Sequence, residues 1–116
     1  MRRADARGSL SVLMIALVGI ALVVCVAVAR VGSAAVSAAR AQSAADAAAL
    51  AAADQLALGR GEQSARRTAD STAHENGARL LSCSCRGLAA EVEVEIPRRA
   101  RARARAEVDF SRSRVP

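Results

Sequence analysis

The longest apolar feature of the chain is an uninterrupted run near its N-terminus. Residues 10–29 read LSVLMIALVGIALVVCVAVA and contain no charged side chain. A helix rises about 1.5 Å per residue, so about twenty residues cross the roughly 30 Å hydrocarbon layer of a bilayer. The run therefore predicts a transmembrane helix over residues 10–29, preceded by a basic leader at residues 1–9.

The charges beside this run predict its orientation. Three arginines lie within residues 1–9, whereas Arg30 is the only charged residue among residues 30–39. Because basic flanks tend to stay in the cytoplasm, we expect a single-pass protein of the cytoplasmic membrane with its N-terminus inside and its C-terminal part outside.

A cleaved signal peptide is the alternative interpretation of the same run. Residues 27–29 read AVA and fit the A-x-A cleavage pattern, so cutting after Ala29 would release a secreted protein. The run is longer than the usual 7–15 apolar residues of a signal peptide, which favours a permanent anchor.

An alanine-rich segment follows the apolar run. Residues 30–58 contain no proline and are largely alanine, which has the highest helix propensity. We predict that the helix continues through them as a stalk. Small residues at helical spacing let helices approach closely. We therefore expect the alanine face of this helix to contact copies of the chain or a related subunit. The candidate packing residues are Ala38, Ala45, Ala49 and Ala53. A solvated spacer is the alternative.

Residues 59–109 are predicted to form a small head. Gly59 and Gly61 indicate a turn, and a short helix follows with an alanine stripe at four-residue spacing. We expect this helix to end at Asn76-Gly77, because glycine readily adopts the left-handed conformation that closes a helix. Residues 110–116 are expected to form a frayed tail.

After Gly77 the period of the apolar residues changes to two, which predicts strands over residues 80–85 and 90–96. Residues 99–106 alternate arginine with alanine, and antiparallel pairing would set these arginines against the glutamates of residues 91–95. The predicted fold is therefore α+β and pilin-like, with an antiparallel sheet of two to three strands packed on the second helix. A helix or a basic tail is the alternative for the arginine run.

Composition limits both the core and the partners. The chain has one Phe, no Tyr and no Trp, so Ala, Val, Leu and Ile must build the core. Its formal charge is +6, and all its basic residues are arginines apart from His74. A basic chain can bind nucleic acid, but aromatic stacking residues and recognisable binding motifs are absent from the sequence. We expect no nucleic-acid partner.

Few residues suit catalysis. His74 is the sole histidine, and the sequence contains no G-x-S-x-G, Walker or Rossmann pattern. We therefore expect no enzyme, no catalytic residue, no cofactor and no metal.

Cys83 and Cys85 lack the spacing of typical zinc or thioredoxin-like pairs. We expect two buried free thiols, with an intermolecular disulfide as the alternative, and we assign Cys25 a packing role.

Three stretches resemble the small TadE/TadG-like pilus-assembly proteins of actinobacteria, which are minor pilin-like membrane proteins of tight-adherence (Flp) pili. They are residues 7–9 (RGS), 40–53 (RAQSAADAAALAAA) and 76–83 (NGARLLSC). The resemblance implies a non-enzymatic, pilin-like subunit or assembly factor of a Tad/Flp-type pilus or a related secretion system. Its expected partners are other pilin-like or Tad-system membrane subunits and further copies of the chain.

The resemblance also implies a processing site. Pilin-like precursors are typically cut after a glycine that precedes the apolar helix, and they carry glutamate at the fifth mature position. Gly8 and Ser9 form the candidate bond, but Leu13 stands in the place of the glutamate. Related proteins often have a cysteine near the start of the short helix that pairs with the one at position 83. Ser64 lies in that region here, so that bridge is expected to be lost.

A second function remains open from the residues alone. The chain could be a membrane-tethered binding protein that contacts an acidic polymer or lipid through its arginine-rich strand. The residues that would carry this binding are Arg101, Arg103 and Arg105.

Overall fold

The computed structural model describes residues 2–109, with side chains from residue 6 onward. The elements, in chain order, are α1 (Arg2–Ala57), α2 (Glu62–Glu75), β1 (Arg79–Arg86), β2 (Ala89–Ile96) and β3 (Ala100–Glu107). This order confirms the predicted α+β class with a long apolar helix, a short helix and a three-stranded antiparallel sheet. The predicted tail at residues 110–116 lies outside the described residues.

The chain divides into two compact units, Met1–Ser33 and Ala34–Pro116. The second half of α1 thus belongs to the same unit as α2 and the sheet. Residues 34–57 are therefore part of the folded head, whereas we predicted residues 30–58 as a separate stalk.

Helix α2 ends as its sequence predicts. Gly77 has a φ of 72°, and its amide donates to the carbonyl of His74 at 3.0 Å. The amide of Ala78 donates to the carbonyl of Ala73 at 2.9 Å, which completes a Schellman motif. Ala73 and Ala78 are both buried, so the apolar contact that usually accompanies this motif is available as well. The chain is thereby turned directly into β1.

The sheet has the strand order β1-β2-β3, and both neighbouring pairs are antiparallel. The pairing of β2 with β3 sets each glutamate of β2 opposite an arginine of β3, which confirms the predicted register: Glu91 with Arg105, Glu93 with Arg103 and Glu95 with Arg101.

The β1–β2 pairing shifts between Leu80 and Ser82, so Leu81 is an extra residue in β1. Such a bulge leaves the residues after it on the face that the pairing with β2 requires.

Two helices cover the apolar side of the sheet. The buried cluster combines alanines of α1 and α2 with Val92 and Val94, the largest fully buried side chains among the described residues. We predicted that α2 alone would cover this side. That prediction was incomplete, because three strands present more apolar area than one short helix can cover. The second half of α1 supplies the remaining cover.

Candidate functional site

The first unit presents a continuous apolar surface. The large apolar side chains of residues 10–31 are 54–73% exposed. The helix that contains them is long and apolar enough to cross a membrane, by length and composition. Such exposure is costly in water, because burying one large apolar side chain would contribute a favourable free energy of roughly 1.5–3 kcal/mol. The surface suits a lipid environment.

The candidate processing bond lies inside this helix. Gly8 and Ser9 are both helical and exposed. The hydroxyl of Ser11 donates to the carbonyl of Arg7 at 3.2 Å, across the same turn. A protease would therefore have to open this helical turn to reach the bond. Cleavage between Gly8 and Ser9 stays a prediction.

The structure separates the four predicted packing alanines into two groups. Ala45, Ala49 and Ala53 are at most 4% exposed and belong to the buried cluster of the head. Another helix could reach them only by displacing the chain's own residues, so we do not extend the intermolecular prediction to them. Ala38 is exposed, and packing of another subunit against it stays a prediction.

The buried face of α1 is rotated relative to the face predicted from the sequence. Ser37 is 7% exposed, although it is not among the predicted packing residues. The buried positions recur every three or four residues: Ser37, Ala41, Ala44, Ala45, Ala48, Ala49, Ala52, Ala53 and Leu56. The alanine face of β3 was predicted from the sequence, but its cover by the second half of α1 was not.

Gln42 joins α1 to the edge of the sheet. Its Nε2 atom donates to the Asp46 carboxylate, one turn further along α1, at 3.0 Å. The same amide nitrogen lies 3.3 Å from the carbonyl oxygen of Arg103 in β3. An edge strand leaves backbone groups without a strand partner, and this contact satisfies one of them.

Charged side chains cover the outer face of the sheet in paired rows. Arg103 donates through Nε and Nη2 to Oε2 of Glu93, at 3.2 and 2.9 Å. Glu95 pairs with Arg101 at 3.2 Å and also with Arg79 of β1, so this carboxylate joins all three strands. Arg105 lies 3.9 Å from Glu91. Each arginine of β3 thus faces a glutamate of β2.

These ion pairs change the titration of one carboxyl group. The hydrogen bond from Arg79 holds the pKa of Glu95 below its ordinary value of 4.5, and the charges of Arg79 and Arg101 act in the same direction. Burial opposes this shift, but it is the weaker effect. The ion pairs of Glu95 with Arg79 and Arg101 are therefore strongest when Glu95 is ionised.

The structure joins Cys83 and Cys85 in a disulfide, in place of the two free thiols that we expected. Residues two apart on a strand lie on the same face, which brings both sulfur atoms to the inner side of β1. The two Cα atoms are 5.5 Å apart, a spacing that disulfides commonly adopt. Cys25 in the apolar run is a free cysteine.

The position where related proteins often carry a cysteine is occupied differently here. The hydroxyl of Ser64 donates to Oε1 of Gln55 at 3.2 Å and so ties α2 to α1. A hydrogen bond between two helices therefore stands where the resemblance implies a covalent link from α2 to β1.

No group of three or more potential metal-ligating side chains occurs among the residues described. His74 is exposed near the end of α2.

An exposed apolar helix followed by a small α+β head fits a single-pass membrane protein. Residues 8–55 match the family model described as putative Flp pilus-assembly TadE/G-like. The match covers less than half of the chain and lies entirely within α1. It supports a role related to Tad pili in general. The search of curated proteins and the search of solved structures each gave no match.

Proposed function

We propose that this chain is a non-enzymatic, pilin-like subunit or assembly factor of a Tad-type pilus or a related secretion system. The observation that carries the proposal is the match of residues 8–55 to the TadE/G-like Flp pilus-assembly family. The matched residues include the run whose large apolar side chains are exposed. Association with other pilus components in a membrane explains why such a surface persists.

In this proposal residues 10–29 anchor the chain, with its N-terminus in the cytoplasm and its head outside. The basic leader favours that orientation. Subunits meet through helix packing in the membrane and through contacts of the head. An actinobacterial source, which the resemblance implies, stays a prediction.

The intermolecular contact is tested best at Ala38. Replacement by leucine adds bulk at an exposed small residue of α1 without disturbing the buried cluster. Ser43→Leu is the matched control, because Ser43 is also exposed but lies on another side of the helix. We expect Ala38→Leu to reduce co-purification of Tad-system membrane subunits and Ser43→Leu to leave it unchanged. Equal co-purification by both variants and the wild type would count against packing at Ala38.

Binding of an acidic polymer or lipid by β3 is the competing function. Its arginines are 62–70% exposed, yet each faces a glutamate. This pairing favours a structural role, since part of the positive charge is already compensated within the sheet.

A triple variant, Arg101→Gln with Arg103→Gln and Arg105→Gln, separates these two functions. Binding would be measured to vesicles containing an anionic phospholipid, and folding by circular dichroism. We expect a less stable head and no specific loss of binding. A fully folded variant that loses vesicle binding would support the competing function instead.

A further inference from the structure

A recess lies beside the Cys83–Cys85 disulfide of the head. It is lined by Glu62 and Arg66 of α2 and by β1 residues that include both cysteines and Arg86. Cys85 is 5% exposed and belongs to the buried cluster, whereas Cys83 is half-buried. The Cys83 sulfur is therefore the easier of the two to approach from solvent.

The disulfide contributes little to holding the chain together. It links residues only two apart in sequence, so it closes a very short loop. In the loop-entropy model a 15-residue loop gives about 3 kcal/mol, and shorter loops give less. Strand β1 is held independently by seven paired residues on β2. The bond can therefore open without releasing an element of the fold.

The charged residues that line the recess carry a net positive formal charge. Arg66 and Arg86 contribute two positive charges against the one negative charge of Glu62. Neighbouring arginines stabilise a thiolate, which is both the attacking and the leaving species in disulfide exchange. The recess thus combines a reachable sulfur, a buried leaving sulfur and a net positive environment.

We propose that the Cys83–Cys85 disulfide is a thiol–disulfide exchange site that accepts two electrons from an external dithiol while the head stays folded. A thiolate of the dithiol attacks Sγ of Cys83, the Cys83–Cys85 bond breaks, and its electron pair leaves on Sγ of Cys85. The second thiolate of the reagent then attacks the reagent sulfur in the mixed disulfide and displaces Cys83. The dithiol becomes a disulfide, and the two protons it loses reach Cys83 and Cys85 through solvent.

The equilibrium test uses the full chain in detergent micelles with Cys25→Ser, which leaves two cysteines to count. The protein is equilibrated with mixtures of reduced and oxidised dithiothreitol, quenched in acid, and its thiols are labelled with a maleimide and counted by mass. We expect both thiols to appear together under conditions where the circular dichroism of the head is unchanged. Two free thiols in the oxidised protein, or thiols that appear only on unfolding, would overturn the proposal.

The kinetic test compares two arginines of α2. Arg66→Gln removes a charge that lines the recess, and Arg67→Gln removes the same charge from an exposed neighbour. A partly screened charge changes such rates by a factor of about two to five. We expect the rate of reduction to fall by this factor for Arg66→Gln and to stay unchanged for Arg67→Gln. Equal rates for both variants would show that the recess is not the route of attack.

Single-cysteine variants test the direction of attack. With Cys25→Ser as background, Cys85→Ser leaves the half-buried Cys83, and Cys83→Ser leaves the buried Cys85. We expect Cys83 to form a mixed disulfide with oxidised glutathione at least about five times faster than Cys85, because thiol reactivity follows exposure. The reverse order would contradict the mechanism, as would unfolding of the head in both variants.

Discussion

The two halves of α1 differ in the size of their side chains and in burial. The half with the larger apolar side chains is the exposed one, which is the opposite of what hydrophobicity alone would predict for a protein in water. Residues 10–31 carry large Leu, Val, Ile and Met side chains that are exposed. Residues 41–56 are mostly alanine, and one side of that segment is almost completely buried. The less hydrophobic half is therefore the one that the chain itself covers.

The difference shows what each half is built to meet. Alanine removes little apolar area from water, but its small size lets a helix lie close to a sheet. The core can therefore be dense even though its largest fully buried side chains are Val92 and Val94. Large side chains all around the first half instead suit a solvent that surrounds the helix, as lipid does.

Charge placed in the first half of α1 should have the largest effect. We expect Leu17→Arg combined with Ile20→Arg to oppose membrane insertion by about 5–7 kcal/mol, since an arginine at the centre of a spanning helix costs about 2.5–3.5 kcal/mol. The measurement is the fraction of protein that resists alkaline extraction from membranes. Ser43→Arg, placed in the second half, should leave that fraction unchanged. Full retention of the double variant would argue against a spanning helix.

The second half should respond instead to added bulk. Ala48 is fully buried, so Ala48→Leu should lower the free energy of unfolding of the head by about 1–3 kcal/mol through overpacking. The exposed Ala39 provides the control, and Ala39→Leu should stay within about 0.5 kcal/mol of the wild type. Denaturant unfolding followed by circular dichroism checks both values. Similar destabilisation of the two variants would contradict the observed buried face.

The outer face of the sheet should respond more weakly, because its ion pairs are partly solvated. Glu93→Gln removes the charge that pairs with Arg103, and we expect a loss of about 0.2–1 kcal/mol. Asp54→Asn removes the same charge from an exposed position on α1 and should have a smaller effect. A larger effect of Asp54→Asn on the denaturation midpoint would oppose the role of the paired rows.

Acid should weaken the outer face of the sheet at Glu95. Its folded-state pKa lies below the ordinary value of 4.5, so the stabilisation is present above that value and is lost as the pH falls through the lowered pKa. We expect the melting temperature of the head to fall as the pH drops from about 5 to about 3, and to fall less in Glu95→Gln. An equally steep fall in both proteins would assign the acid sensitivity to other groups.

The sequence predicts the sheet better than it predicts the packing of α1. Alternating glutamates and arginines determine strand positions and register, because a shift of one residue would bury Glu93 and Arg103. The alanines of residues 38–53 lack such a signal, since they are nearly alike on every side of the helix. The choice between exposed Ala38 and buried Ser37 follows from where the sheet lies, which only the tertiary structure shows.

The cysteines show a different limit. Cys83 and Cys85 have a spacing that places both side chains on one face of a strand, so their proximity was available from the sequence. Their unequal exposure and the recess beside Arg66 depend on how α2 crosses β1, which the pattern of residues 62–76 does not specify.

The most direct test of the proposed anchoring is the mass and N-terminus of the protein recovered from the membrane and soluble fractions of native cells. We expect a membrane-bound chain that retains residues 10–29 and begins at Met1, or at Ser9 if the Gly8–Ser9 bond is cut. Recovery of a soluble chain that begins at Arg30 would contradict the anchor, because cleavage after Ala29 would have removed the whole apolar run.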